Sequence, residues 1–231
     1  MTGVAPPPRR LEAGFLGRVA YEDGVALQEE RRRAVIAGEA CEALLLLEHP
    51  HVFTVGRNAR RSDVVADSGW LERHGVTVAA SSRGGQVTYH GPGQLVGYPI
   101  VNLDPDRRDI RRYVRDLQQV LVLTLAEFGV AAAGRGAQPE IGVWAGERKV
   151  GSIGVHIRRW VTMHGFSLNV TTDLAFFRGI VACGLHGVEM ASIESLTGAR
   201  PAVAEVAAVA ARHFAAVFER RLAAPAVERP A

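Results

Sequence analysis

The sequence predicts a single α+β domain built on a mixed, largely antiparallel sheet with flanking helices, and three observations carry that prediction. Short apolar runs bounded by turn residues recur through the first hundred positions. The segment 141–170 alternates apolar and polar residues around two turn candidates. No Pro/Gly/Ser-rich linker or internal repeat divides the 231 residues. With 48% apolar residues the chain can bury one substantial core. The domain is expected over residues 11–222, between flexible termini at 1–10 and 223–231.

Taken in order, YEDGVALQEERRRAVIAGEA mixes apolar and charged positions as a surface helix does, and ALLLLEH reads as a short, fully buried strand. VFTVG and VTVAASS read as further strands, with SGWLERHG as a short helix between them. A glycine-rich stretch follows, RGGQVTYHGPGQLVGYP, and QLVGYPIVNL continues as a strand. Residues 107–128 place Ile110, Val114, Leu117, Leu121, Leu125 and Phe128 at three- and four-residue spacing, which predicts an amphipathic helix ending at Gly129. IGVWAGERKVGSIGVHIRRWVTMHGFSLNV predicts three antiparallel strands in a meander, with turns at Gly146-Glu147 and Arg159-Trp160. DLAFFRGIVACG reads as a short helix or turn, and residues 203–222 as a last amphipathic helix.

A formal charge of +3 is too mild to announce nucleic-acid binding. Arg107, Arg108, Arg111, Arg112 and Arg115 fall at helical spacing, either as a solvated face or as a docking strip for an acidic protein. No apolar run approaches the roughly 18 residues needed to cross a bilayer, and the proline-rich start lacks the apolar core of a secretory signal. A cytoplasmic protein without a membrane partner is therefore expected. Two cysteines, Cys41 and Cys183, cannot form a disulfide framework. Cys41, just before a buried strand, reads as a small core residue. Of the 27 basic residues, 26 are arginine and Lys149 is the one lysine. Arginine supplies charge but cannot release its proton in a protein, so a retained lysine marks a place where an amine is needed.

Several chemistries are excluded by pattern. No Gly-Lys-Ser/Thr triplet occurs, so there is no P-loop. A serine nucleophile elbow fails at Ser152, where Val150 replaces the first glycine, and at Ser167, where Asn169 replaces the last. The histidines lack metal-like spacing, His49 and His51 being a weak pair, so no metal and no cofactor are expected. What remains is a thiol, an amine and a glycine-rich backbone. A thiol reacts as thiolate and needs a neighbouring cation or base, and Lys149 is the one side-chain amine available to Cys183.

These residues together resemble a family. The run RGGQVTYHGPGQLVGYP, followed by ERKVGSIGVHI, TMHGFSLNV and FRGIVACGL, resembles the lipoyl(octanoyl) transferases over roughly residues 15–220. The resemblance implies an α+β domain similar to the catalytic domain of biotin- and lipoate-protein ligases. It implies an octanoyl group taken from octanoyl-acyl-carrier protein onto Cys183 as a thioester. The group then passes to the acceptor lysine of lipoyl domains, in 2-oxoacid dehydrogenase complexes and the glycine cleavage H protein. Cys183 and Lys149 are implied as the catalytic dyad. Arg83, Gly84, Gly85, Gln86, Val87, Thr88, Tyr89 and His90 are implied as the acyl site, with Ser152, Ile153, Gly154, Gly165, Phe166 and Ser167 opposite. On this reading glycines 84, 85 and 154 leave bare backbone for the acyl chain, His90 polarises the thioester carbonyl or orders the site, and His164 and Asn169 brace the strands. The alternatives are an ATP-dependent lipoate or biotin ligase, against which Gln86 stands where a third consecutive glycine is expected, and an amidotransferase moving octanoyl between lipoyl domains.

Overall fold

The computed structural model describes residues 8–137, 140–181 and 187–223. Cys183 lies outside the described residues, as do most of the expected flexible ends. Two sheets organise the fold. The larger has eight strands: β1 (Arg10–Arg18), β2 (Glu42–Glu48), β6 (Gln94–Ile100), β7 (Ala133–Arg135), β8 (Gly142–Ala145), β9 (Arg148–Arg158), β10 (Val161–Asn169) and β11 (Arg221–Ala223). Their spatial order is β11-β1-β2-β6-β10-β9-β8-β7. The smaller sheet is formed by β3 (Val52–Val55), β4 (Thr77–Ala80) and β5 (Val87–His90), in the order β4-β3-β5. Most pairs are antiparallel, but β1 runs parallel to both β2 and β11, and β3 parallel to β4.

The helices are α1 (Tyr21–Ala37), α2 (Ser68–Arg73), α3 (Ile110–Glu127), α4 (Ile193–Thr197) and α5 (Val203–Val217). Helix α3 starts three residues later than its periodicity suggests because Asp109 caps it, its carboxylate accepting from the Arg111 and Arg112 amides. Arg107 therefore leaves the basic stripe. It is buried, paired with Asp116, and donates to the Val217 carbonyl at 2.8 Å. Arg108, Arg111, Arg112 and Arg115 remain exposed.

Helix α5 stops at Val217, short of residue 222, because Glu219 takes a left-handed φ of 55° and turns the chain. The residues that follow become β11, paired with Arg10–Glu12. The sequence showed neither β1 nor β11. Strand β1 carries glycine and charged residues among its apolar ones and is fixed by parallel pairing with β2, whereas the three residues of β11 become a strand through pairing with β1.

One face of the large sheet packs against α3 and α5 in a core that includes Leu117, Leu121, Val206 and Phe214. The other face carries α1 at one end. Its remaining surface looks across at β5 and the glycine-rich loop before it, and the cleft lies between them.

Candidate active site

The meander β8-β9-β10 forms as the alternation predicts, with Gly146 at φ 58° in one turn and Arg159 and Trp160 at φ 50° and 62° in the other. Within it one irregularity decides where Lys149 points. Val143 pairs with Gly151 and the next residue, Trp144, with Lys149, so Val150 is an extra residue in β9. A bulge of this kind re-aims the side chain before it. Val150 packs into the core and a side chain at Gly151 would meet Leu121, whereas Lys149 joins Ser152 and Gly154 on the cleft face. Without the bulge, period-two alternation would put Lys149 with Gly151 on the core side.

Lys149 is 1% exposed, and its Nζ lies 5.5 Å from the centroid of the Trp144 ring, within cation–π range. A side chain at Gly142, which adopts φ 154°, would begin against the Gly151 carbonyl oxygen and 2.7 Å from Lys149 Cε, so glycine there leaves room both for the strand pairing and for the lysine stem. The Lys149 backbone is held on its other side. Its amide donates to the Glu189 carbonyl and its carbonyl accepts from the Ala191 amide, both at 2.9 Å.

The glycine-rich loop is pinned rather than loose. Gly84 donates to the Val155 carbonyl at 3.0 Å, while the Arg57 and Asn58 amides donate to the carbonyls of Arg83 and Gly85. Arg83 is buried and donates from Nη2 to the Thr54 carbonyl at 2.7 Å. Gly85 adopts φ 88°, a conformation that requires glycine. A side chain at Gly154 would start 3.0 Å from both Arg83 Cδ and the Gly84 carbonyl oxygen. Gly154 thus lets the loop approach the sheet, rather than leaving open backbone at that point.

His90 occupies the cleft wall with its tautomer fixed by its neighbours. Gln94 Nε2 donates to the Tyr89 carbonyl at 3.1 Å and to Asn169 Oδ1 at 2.9 Å, and Asn169 Nδ2 donates to the Ala191 carbonyl at 2.9 Å. Backbone carbonyls only accept, so both amide orientations are set and Gln94 Oε1 must accept from His90 Nδ1, at 2.7 Å. The imidazole then has its lone pair on Nε2. Burial, followed by the neighbouring His49, holds His90 well below the usual histidine range, so it stays neutral. Asn169 braces the strands as expected, and through Ala191 it also joins His90 to the Lys149 main chain.

His164 sits in the middle of β10 at φ 57°, a strained conformation for a non-glycine residue. Gln28 of α1 accepts its amide proton at 2.7 Å, and Nε2 meets the Ser82 hydroxyl at 2.9 Å. Burial and then Arg83 push its pKa down to about 3.

Of the residues expected at the acyl site, the cleft brings together Arg83, Gly85, Gln86, Val87, Thr88, His90, Ser152, Ile153, Gly154, Gly165, Phe166 and Ser167 with Lys149. Gly84 and Tyr89 are not among its walls. Tyr89 points to the opposite side of β5, where its ring stacks on Phe176 at 5.1 Å and its hydroxyl meets His51 Nδ1 at 2.8 Å. The cleft also includes Tyr21, Val96, Tyr98, Ile141 and His164, which sequence reasoning did not assign to it. Val96, Tyr98 and His164 lie within the runs that carry the resemblance, but as apolar or aromatic residues in strands they read equally as ordinary core. Among the described residues no group of three or more His, Cys, Asp or Glu is placed to hold a metal ion.

Comparison with solved structures defines the class of fold. A protein of T. acidophilum assigned as a lipoate protein ligase, solved with bound lipoic acid, superposes with a TM-score of 0.76 at 19% identity, over 96% of this chain and 90% of that one. The family model of the lipoyl protein ligase A/B catalytic domain matches residues 20–215. An octanoyltransferase of Solibacter usitatus is 48% identical, covering 88% of this chain and 91% of the relative. One of Geobacter metallireducens is 44% identical over 90% and 93%. The chain belongs to the lipoyl protein ligase A/B catalytic-domain family, among its octanoyltransferases, and is an acyltransferase. No helix among the described residues is long and apolar enough to cross a membrane.

Proposed function

We propose that the chain takes an octanoyl group from octanoyl-acyl-carrier protein onto Cys183 and passes it to the acceptor lysine of a lipoyl domain, in the cytoplasm and without ATP. The observation that carries this reading is the one lysine of the sequence, buried at the cleft beside a histidine fixed in its neutral form. Lys149 accepts the Cys183 proton, and the thiolate attacks the thioester carbonyl to give a tetrahedral intermediate. The carrier thiol leaves with the proton that Lys149 held; the target amine then attacks the acyl-enzyme, Lys149 takes the amine proton, and collapse of the intermediate breaks the Cys183 thioester, giving the amide and returning the proton to the Cys183 sulfur. His90 faces this chemistry as an acceptor through Nε2 and orders the site. The pairing of Glu189 and Ala191 with the Lys149 backbone supports the dyad, because that segment follows Cys183 by a few residues in sequence. The lipoyl-domain acceptor is the partner that relatives named octanoyltransferase and lipoate protein ligase suggest.

The test is mass spectrometry of protein incubated with octanoyl-carrier. A hydroxylamine-labile octanoyl adduct is expected on Cys183, absent in Cys183→Ala and retained in Cys41→Ala. Equal loss in both variants, or transfer by Cys183→Ala, overturns the nucleophile assignment. Cys41 is a suitable control because its thiol meets Glu12, and burial together with that carboxylate raises its pKa and makes it a poor nucleophile.

A further inference from the structure

One set of cleft residues has no part in the proton chemistry. Beyond the Phe166–Gly97 pair, away from Lys149, the cleft is walled by Tyr98 and Tyr21, with His164 also in its lining. Tyr98 is 4% exposed and is fixed at its far end, where its hydroxyl lies 2.7 Å from His49 Nε2. His49 Nδ1 lies 2.7 Å from the Val19 carbonyl, which can only accept, so Nδ1 carries the proton and Nε2 accepts from Tyr98. The His49 ring also meets Tyr21 edge-on at 5.4 Å. Helix α1 clamps the pair, since a side chain at Gly24 would begin 3.1 Å from His49 Cε1 and 3.7 Å from Tyr98 Cε2. Neither ring can swing aside without breaking a buried hydrogen bond or displacing the helix.

We propose that Tyr98 is the end-stop of the acyl cleft and sets the chain length accepted, with His49 as the positioning residue that holds it. This rests on the acyl-transfer reading above. Lys149 to Gly154, the β9 residue beside this end of the cleft, spans four regular steps of strand once the Val150 bulge is left out, about 13 Å at the usual rise. That distance suits a thioester with a medium-length acyl chain laid along the sheet. The aromatic carbon of Tyr98 and Tyr21 offers an apolar wall for a terminal methyl, with the Tyr98 hydroxyl taken up by His49 and the Tyr21 hydroxyl buried.

The test offers a mixture of six-, eight-, ten- and twelve-carbon acyl-carrier thioesters and reads the acyl mass retained on the protein together with kcat/KM for each. Wild type is expected to retain the eight-carbon chain. Tyr98→Ala, and Tyr98→Leu as the variant that keeps apolar packing, should raise the twelve- to eight-carbon kcat/KM ratio at least tenfold. His49→Phe should broaden the preference, and His49→Gln, which offers one donor and one acceptor, should restore it. Folded Tyr98 variants with the wild-type profile overturn the end-stop. Wild type that retains no acyl chain of any length instead overturns the acyl-transfer reading, and the end-stop falls with it.

Discussion

At the scale of single residues, the site is a contrast between groups held neutral and one amine held in place. His90 is held well below the usual histidine range and His164 is pushed down to about 3, in both cases chiefly by burial. Lys149→Met tests the amine directly. Methionine matches the unbranched stem beside Gly142 and Trp144 but offers no proton acceptor. Transfer is expected to fall by roughly 10²- to 10⁴-fold, the usual worth of general acid–base catalysis, with little change in Tm. Transfer within a few-fold of wild type, measured from octanoyl-carrier to a lipoyl domain, would remove Lys149 from the mechanism.

At the scale of elements, glycines fix how the cleft walls meet. Gly91, between β5 and β6, has the Tyr89 hydroxyl 1.9 Å from where a side chain would start. Tyr89 cannot yield easily, because its ring is fully buried, stacked on Phe176 and tied to His51. Gly91→Ala should therefore cost about 1–3 kcal/mol, the range for overpacking a filled site. Denaturant unfolding measures this, and a loss below about 0.5 kcal/mol would show that Tyr89 is not held. Because β5 carries His90, the same variant should also lower transfer. The exposed arginines of α3 belong to this scale too. Arg108 lies over Trp160, in the β9–β10 turn, and Arg158 is eight regular steps along β9 from Lys149 once the Val150 bulge is left out, about 26 Å at the usual rise. A partner docked on that strip would sit at the end of the sheet away from the amine.

At the scale of the whole molecule, the two ends of the described chain are fastened by one ionic cluster. Arg220 Nε donates to Glu42 Oε2 at 2.6 Å and its Nη1 to Asp106 Oδ2 at 3.0 Å, while Arg9 Nη1 lies 2.9 Å from Glu42 Oε1. Arg220 and Glu42 are both buried, so Arg220→Ala leaves Glu42 with only Arg9 and the Asn102 amide as partners and should cost about 1–3 kcal/mol, the range for a lost hydrogen bond to a charged group. A Tm within 2 °C of wild type would contradict this. The acid response follows from Asp106. Burial raises its pKa, but the hydrogen bond and charge of Arg220 and the charge of Arg9 outweigh this, and the net shift is downward. A carboxylate with a lowered folded pKa stabilises above its unfolded value, near 3.9, and loses that contribution as pH falls through the folded one. The Tm gap between wild type and Arg220→Ala should therefore be wide at pH 7 and narrow below about pH 4. An unchanged gap would show that Asp106 contributes nothing to the clasp.

The sequence by itself determined the fold class, the meander, α1, α3 and the family, because each rests on local periodicity or on a motif contiguous in the chain. It also determined that Lys149 is chemically singular, since composition needs no coordinates. Tertiary structure alone decided which face Lys149 occupies, because a one-residue bulge at Val150 reverses the alternation and leaves no mark in the pattern. The same holds for β11, whose strand state comes from pairing across the whole chain. It holds for Arg107, whose burial depends on Asp116 and Val217. The glycines show the division most plainly. The sequence marked RGGQVTYHG as a place of close approach, and the structure decided what approaches: Arg83 and the Gly84 carbonyl at Gly154, and the Tyr89 hydroxyl at Gly91. Local chemistry is written residue by residue, whereas direction and proximity are set by register, and register is a property of pairs of strands.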